Sequence, residues 1–480
     1  MEDCDSSEIG NPNWEIALRE CENVLASGTK SMKIKAMVNL ASYSKQAPEH
    51  VLSSLIPILI EILGHIDIVN DSVPDLLQEA AGYCLKCIAC RGDGSLAIEM
   101  GRHGVSYILI RLLPRAEGMM QKSLIKCLTV VVSFCSTSRT VVGANGGLET
   151  IISLLITCSD DVRLYLLEIL SALALLREVR KELIGLGSLC FIVEAAGVGS
   201  MVSRERACQA IGLIGVTKEA RCTLVELGVI PVLVELIRVG DNTMKLVAGN
   251  SLGVVARLDY ITHVVQAGAI PLYAELLKGP DVSSGKEITK NMFCILALEE
   301  ANAVEIVGHL VRILREDDGE AKAAAADVIW DLSANRNTIS VIRDSGVITI
   351  LIELLSHASE EVKLNISGVF SQLSYSESGR MALEDAGAIP ILIDLLDEET
   401  EELRDNVVES LSNIHEDPLY CDRLSDLVNS PSFRNMQNQL YSNRASNRFM
   451  PGYVPRALRT ISDEEIIWIQ NHVYHLTGMF

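Results

Sequence analysis

Aromatic side chains are scarce in this chain, at 4% of its 480 residues, although hydrophobic residues make up 49%. The apolar mass is therefore aliphatic and consists of Leu, Ile, Val and Ala. A mean hydropathy of +0.27 excludes a largely disordered chain, because disordered chains lack the apolar residues that form a core. We expect a folded protein with a large aliphatic core.

Long apolar runs and secretion signals are also missing. Glu61, Lys126 and Glu194 interrupt the three longest apolar runs, so none reaches the roughly 18 residues of a membrane span. The first residues, MEDCDSSE, have neither the basic nor the apolar region of a signal peptide. The 13 cysteines are odd in number and scattered, which favours free thiols in a reducing compartment. We expect no transmembrane segment and a cytoplasmic or nuclear location, or both.

Positive charge is in short supply, with 41 Lys and Arg against 63 Asp and Glu and a net charge of −22. Nucleic acids and anionic membranes repel such a chain before contact. We therefore expect other proteins as partners and no specific nucleic-acid binding.

No motif predicts catalysis, a metal site or a cofactor. Cys84, Cys87 and Cys90 form a C-x-x-C-x-x-C run, but no second pair or nearby His completes a tetrahedral site. GPDVSSGKE, from Gly279, imitates a phosphate-binding loop but has one residue too many between its glycines. It also has Glu where Ser or Thr must bind magnesium. We expect a protein that is not an enzyme.

One ten-residue pattern recurs along the chain. It appears seven times with a leading glycine, at Gly104, Gly146, Gly187, Gly228, Gly268, Gly346 and Gly387. Two degenerate copies without that glycine, SLIPILIEIL from Ser54 and EIVGHLVRIL from Glu305, fill the gaps. Most steps are 40 to 42 residues, and a period of about 40 without strand signals indicates a helical solenoid.

The repeat around Gly387 shows three helices. SGRMALEDA predicts a short first helix, which Gly387 ends because glycine can adopt positive φ. Pro390 stands early in a second helix, where its missing N–H costs nothing. LRDNVVESLSNI then predicts a third helix, with apolar residues at helical spacing.

These residues resemble the armadillo repeat, with its glycine, Ile-Pro step, Leu-Val-rich helix and longer third helix. The resemblance covers about residues 30–417 and is closest in style to plant armadillo proteins and the armadillo regions of U-box ubiquitin ligases, without a U-box. It implies an all-α, right-handed, armadillo/HEAT-like solenoid superhelix of about nine repeats, whose third helices line a concave groove. We divide the chain into N-terminal capping helices or a partial repeat (1–53), the solenoid (54–426), a basic polar linker (427–462) and a C-terminal amphipathic helix (463–480).

Two steps depart from the period. The step from Ser54 to Gly104 is long because HIDIVNDSVPDLL inserts between two helices. The step from Gly268 to Glu305 is short, and EEANAVEIV lacks the glycine and a full first helix. A truncated repeat predicts a local bend, which is either a functional feature or repeat decay.

In the armadillo family one residue of each third helix, often Asn, faces the groove and binds the backbone of a peptide. The matching positions here are Asn39, Cys87, Val130, Ala172, Leu213, Val254, Ile295, Asp331, Gln372 and Asn413. Most of these positions are apolar, and the Trp that nuclear-import adaptors place four residues earlier is missing. We therefore expect a few anchors and no continuous grip on a long peptide.

The positions one helical turn earlier form a polar column. They are Lys35, Tyr83, Lys126, Glu168, Gln209, Asn250, Asn291, Asp327, Gly368 and Glu409, a gradient from basic through amide to acidic. This column is either a contact surface or an ordinary solvated helix edge. Trp330, beside Asp331, is either an exposed binding anchor or a filler of the space left by the short repeat. The predicted groove residues are Lys35, Asn39, Lys126, Gln209, Asn250, Asn291, Asp327, Trp330, Asp331, Gln372, Glu409 and Asn413.

The segment 427–462 has five arginines and no acidic residue. It follows a stretch, residues 394–417, that contains ten carboxylates and one arginine. We predict that it packs back on the last repeats through Arg434, Arg444, Arg448, Arg456 and Arg459. A linker that binds an acidic partner or RNA weakly, and a disordered tail, are the alternatives. The helix after it begins with a capping box at Ser462, a candidate phosphorylation site. This helix either seals the solenoid or docks a partner.

The sequence as a whole predicts a non-catalytic protein-interaction scaffold or adaptor that binds partners in its groove. The first alternative is a substrate-recognition subunit of a ubiquitin ligase. A nuclear transport adaptor is the weaker alternative. The oligomeric state stays open.

Overall fold

The computed structural model describes residues 14–65 and 75–447. These residues are predominantly helical and include no strand. The chain divides between Leu227 and Gly228 into two compact units, called unit 1 and unit 2 below. Residues 66–74, which belong to the predicted insertion, and the predicted C-terminal helix 463–480 lie outside the described residues.

The described part of unit 1 is built from short and medium helices joined by tight turns. Its α-helices are α1 Trp14–Ser27, α2 Lys30–Tyr43, α3 Glu49–Gly64, α4 Leu76–Ala89, α5 Ser95–Arg102, α6 Val105–Leu112, α7 Gly118–Phe134, α8 Ser136–Ala144, α9 Gly147–Thr157, α10 Asp160–Leu173, α11 Arg177–Gly185, α12 Leu189–Gly197, α13 Met201–Ile214 and α14 Lys218–Glu226.

The described part of unit 2 follows the same plan. Its α-helices are α15 Val229–Val239, α16 Asn242–Val255, α17 Ile261–Gln266, α18 Ala269–Leu276, α19 Val282–Leu296, α20 Glu300–Leu314, α21 Gly319–Ser333, α22 Arg336–Asp344, α23 Val347–Leu355, α24 Glu360–Ser374, α25 Glu377–Asp385, α26 Ala388–Asp394, α27 Glu401–His415, α28 Cys421–Val428 and α29 Pro431–Asn447.

One helix of each repeat stacks on the corresponding helix of the next repeat. In unit 1 these third helices contact one another in the order α2, α4, α7, α10 and α13, and in unit 2 in the order α16, α19, α21, α24 and α27. The helices that lie between successive third helices in the chain pack against those third helices. Packing between sequence neighbours, which builds one extended core, defines a solenoid. The predicted all-α solenoid is confirmed.

The leading glycine of the repeat separates its first two helices. The seven glycines of the pattern have φ angles between 64° and 80°, a left-handed conformation that residues with a β-carbon rarely adopt. At Gly387, for example, φ is 74° and α26 starts at the next residue. The predicted role of this glycine is confirmed.

The two repeats without the glycine have one continuous helix in place of two. α3 runs through Ser54 and contains Pro57, and α20 runs through Glu305. EEANAVEIV, which we expected to lack a full first helix, supplies the first half of the 15-residue α20. A side chain at the glycine position disfavours the left-handed turn by about 1–2 kcal/mol, so the helix continues.

Arginines of the following helix cap several third helices, a feature that the sequence analysis missed. Arg139 donates from Nε to the carbonyl of Val132 at 2.7 Å. Arg180, 41 residues later, donates from Nη1 to Ala174 at 2.8 Å. Arg221, a further 41 residues on, reaches the carbonyl of Val216. The last carbonyls of a helix lack partners within it, so these arginines stabilise the ends of α7, α10 and α13.

The segment that we predicted as a polar linker begins with a helix. α29 packs on α27, where Phe433 and Leu440 are 1% and 4% exposed. Gln437 donates to Ser412 Oγ on α27 at 3.2 Å. The sequence did not predict this helix because Asn and Ser residues surround its few apolar residues.

Candidate interaction surface

Three third helices of unit 1 and three of unit 2 carry opposite net charge. In unit 1, α2, α4 and α7 carry six lysines and one glutamate. In unit 2, α21, α24 and α27 carry nine carboxylates against three basic side chains. The basic face comprises Lys35, Asn39, Tyr83, Lys86 and Lys126. The acidic face comprises Glu320, Asp327, Trp330, Glu361, Gln372 and Glu402.

The basic face combines lysines with aromatic rings. Lys35 and Asn39 are exposed on α2. Lys86 Nζ lies 4.4 Å from the centre of the Tyr83 ring, and Lys126 Nζ lies 4.7 Å from that of Tyr165 on α10. Such cation–π pairs stabilise by about 0.5–1 kcal/mol at exposed sites. These contacts hold Tyr83 and Lys126, which together with Lys35 form the basic end of the predicted polar column.

The next two rungs of unit 1 are closed by internal contacts. Gln209 is 7% exposed, and its Oε1 accepts a hydrogen bond from Arg206 Nη1 at 3.2 Å. Arg206 Nε lies 4.0 Å from Glu168 Oε2. Burial raises the pKa of Glu168, and Arg206 offsets only part of that effect. The predicted groove residue Gln209 therefore lies below the surface.

The amide rungs of unit 2 remain partly accessible. Asn250 on α16 and Asn291 on α19 are half-buried. The apolar ladder residues beside them, Val254 and Ile295, are half-buried as well. This part of the surface offers amide groups between aliphatic side chains.

Two lysines of α19 tie together the acidic residues of α21. Lys290 Nζ lies 3.0 Å from Asp327 Oδ2 and 3.6 Å from Asp331 Oδ2. Lys286 Nζ lies 3.4 Å from Asp327 Oδ2 and 4.0 Å from Glu361 Oε1 on α24. Burial lowers the pKa of Lys290, but the neighbouring carboxylates, Asp331 first, outweigh burial and raise it. Both predicted aspartates thus belong to an ion-pair cluster.

The sequence contained a signal for this cluster. Two lysines four residues apart precede two aspartates four residues apart by 41 residues, one repeat length. Since residues four apart share a helix face, this spacing predicts pairing between stacked helices. The column used for the sequence analysis passed through Asn291 and missed the lysines.

Trp330 lies over the surface of the next third helix. A β-carbon added to Gly368 on α24 would lie 2.2 Å from Trp330 Cε2, so the indole occupies the space that a side chain there would need. Trp330 is half-buried and shares the outward-facing side of α21 with Asp327 and Glu320. The indole is therefore both supported by α24 and part of the acidic face.

The last polar rungs are engaged between α24 and α27. Glu409 is 7% exposed and accepts hydrogen bonds from Ser371 Oγ at 2.6 Å and from the Tyr375 hydroxyl. Asn413 donates to Ser374 Oγ at 2.9 Å. Gln372 is half-buried and, with Tyr375, lines an open pocket of about 700 Å³. Of these predicted groove residues, Gln372 is the one that faces an open space.

The predicted tail contacts fall mostly beyond the described residues. Arg434 is exposed on α29 and donates to Asn429 Oδ1 at 2.7 Å. Arg444 belongs to α29, but its side chain is not described. Arg448, Arg456, Arg459 and Ser462 lie outside the described residues.

The cysteine run lies at the C-terminal end of α4, and the glycine-containing loop caps and begins α19. Cys84 is buried, Cys87 half-buried and Cys90 exposed. Asp281 of GPDVSSGKE caps α19, accepting a hydrogen bond from the Ser284 N–H at 3.1 Å, and the following residues are helical. Within the described residues, no three His, Cys, Asp or Glu side chains are grouped to hold a metal.

No single helix in the described part of the chain has both the length and the apolar composition to cross a membrane. Among the described helices, α8 and α9 meet that criterion when taken together, and an 83° bend separates them.

Comparison with known proteins gives the fold alone. No protein-family model matches the chain, and no curated protein matches its sequence. Among solved structures, an engineered protein determined by the Northeast Structural Genomics Consortium is similar, with a TM-score of 0.67 and 21% identity. The match covers 83% of this chain and 98% of the engineered one. It supports the helical stacking described above.

Proposed function

We propose that this protein is a non-catalytic interaction scaffold of the armadillo type, acting in the cytoplasm or nucleus. The observation that carries the proposal is the opposite charge of two third-helix faces built on stacked, rigid helices. Complementary charge guides a partner to a surface and fixes its orientation. The basic face suits an acidic segment of a partner, and the acidic face suits a basic one.

Binding at these faces depends on a few anchors. Glu409 and Asn413 are already hydrogen-bonded to α24, so they cannot serve a continuous peptide ladder without losing those bonds. Tyr83 and Trp330 offer exposed aromatic surface, and a few aromatic or arginine residues usually carry most of the energy of an interface. The exposed charges around them set the choice of partner.

Charge reversal at exposed positions of the acidic face tests the proposal. Glu320 and Glu402 are exposed in the first turns of α21 and α27. Partners retained by the wild-type chain in affinity purification should be lost from Glu320→Lys/Glu402→Lys. Asp327, Asp331 and Glu409 are poor choices for this test because their internal contacts would also be lost.

A matched control separates the face from net charge. Glu219 and Glu300 are exposed in the first turns of α14 and α20, so Glu219→Lys/Glu300→Lys has the same charge and the same cost at helix N-termini. The control should keep the partners. Equal loss from both variants contradicts the proposal. Ubiquitin-pathway proteins among the lost partners would favour the ligase alternative, and basic import signals would favour the transport adaptor.

A further inference from the structure

Trp330 and Gly368 form a feature of the acidic face that stability alone does not require. A glycine inside a helix costs about 0.5–1 kcal/mol relative to alanine, yet α24 has Gly368 at the point where the indole lies. This glycine lets the indole rest on the α24 backbone while keeping part of its surface exposed. The result is a fixed aromatic plate on a helical surface.

The surroundings of the plate favour a cation. Asp327 lies on the same side of α21, and Glu361 on α24 has a side chain that is 64% exposed. Lys286 and Lys290 of α19 pair with Asp327, Asp331 and Glu361. With α19 included, the four helices carry ten carboxylates and five Lys or Arg side chains, so the face keeps an excess of negative charge. Arginine combines both requirements, because its flat guanidinium stacks on indole and pairs with carboxylates.

A source of arginine is tethered to the same unit. The segment 448–462 contains Arg448, Arg456 and Arg459 and no acidic residue. It follows α29 directly, and α29 is packed on α27 through Phe433 and Leu440. The tether gives the segment an effective concentration of the order of millimolar at the acidic face.

The segment is long enough to reach the plate. Arg456 follows Asn447 by nine residues, an extended span of up to about 30 Å. Packed helices lie about 8–10 Å apart, so the three steps from α29 across α27 and α24 to α21 amount to about 24–30 Å. Arg459, three residues further on, has additional length to spare.

We propose that segment 448–462 of this chain docks on the acidic face, with its arginines at Trp330, and occupies the face until a partner displaces it. This inference rests on the proposed function in one respect, since it assigns an internal occupant to a face that also receives partners. Its physical content is an arginine–indole contact reinforced by carboxylates.

Fluorescence of Trp330 tests the docking in the full chain. The protein has three tryptophans, so Trp14→Phe/Trp468→Phe leaves Trp330 as the reporter. In that background, Arg456→Gln/Arg459→Gln should shift the Trp330 emission to longer wavelength and increase its quenching by acrylamide. Arg238→Gln/Arg343→Gln removes two exposed arginines elsewhere in unit 2 and should leave the emission unchanged.

A synthetic peptide of residues 448–462, added to the Arg456→Gln/Arg459→Gln chain, should reverse the shift. The same peptide with Gln in place of its three arginines should bind at least tenfold more weakly. Unchanged emission in the arginine variant overturns the proposal. If the Arg456→Gln/Arg459→Gln variant shows unchanged emission and yet binds the added peptide, the face accepts arginine from other proteins and the tail is not its occupant. Partner loss from the charge-reversal variant is measured separately, so either proposal can fail alone.

Discussion

The contact between Trp330 and Gly368 allows a stability prediction with opposing terms. In Gly368→Ala, the new β-carbon would lie 2.2 Å from the indole, so the ring must move. Overpacking of this kind costs about 1–3 kcal/mol, whereas replacing a helical glycine by alanine gains about 1 kcal/mol. We expect a net loss of about 0–2 kcal/mol in the free energy of unfolding of unit 2.

Gly308→Ala is the matched control. Gly308 lies inside α20, is exposed, and has no atom within 4 Å of an added β-carbon. Alanine there should stabilise by up to about 1 kcal/mol, so the two variants should differ by about 1–3 kcal/mol.

The assay is urea unfolding of the Trp14→Phe/Trp468→Phe chain, followed by Trp330 emission and by far-ultraviolet circular dichroism. Gly368→Ala should also shift the native Trp330 emission to longer wavelength, because the displaced ring meets more water. Equal stabilisation by both alanines, with unchanged emission, would refute the packing of the indole on α24.

Three further predictions concern the packing of α29 on α27 and the carboxylates Asp417 and Glu168. Phe433→Ala should destabilise by about 3–5 kcal/mol and speed hydrogen exchange in α29, whereas Ala at Tyr441, which is 54% exposed, should change little. A hydrogen bond from Arg380 lowers the pKa of Asp417 in the folded protein. The pair therefore stabilises the fold above the unfolded-state pKa of about 3.9, and this stabilisation is lost as the pH falls through the lower pKa of the folded state. Arg380→Gln should reduce that acid-dependent loss in a pH series of unfolding curves. Burial raises the pKa of Glu168 in the folded protein. The wild type should therefore lose stability as the pH rises from the unfolded-state pKa of about 4.3 through the higher pKa of the folded state, and Glu168→Gln should not show this pH-dependent loss.

Periodicity in the sequence was sufficient to predict the fold. The glycine pattern located the break between first and second helices, since left-handed φ is a local property of the chain. It could not predict what a repeat does without that glycine. In α20 the missing stop joins two helices into one, an outcome that depends on packing along the whole repeat.

The candidate surface was only partly predictable. Lys35 and Asn39 are exposed, but Gln209 is buried beside Arg206 of its own helix and Glu409 is buried against Ser371 of the adjacent helix. A column of positions indicates which residues share one helix side and says nothing of how long side chains bend towards the next helix. Trp330 shows this most clearly, because its contact with Gly368 joins residues 38 positions apart.

Site-specific photo-crosslinking tests the central claim that partners dock on third-helix faces. A photoreactive residue at Glu361 on α24, whose side chain is 64% exposed, is compared with one at Met381 on α25, which is 46% exposed. The partner that is lost on Glu320→Lys/Glu402→Lys should crosslink from position 361 and leave position 381 unmarked. Equal or stronger crosslinking from position 381 would contradict the account.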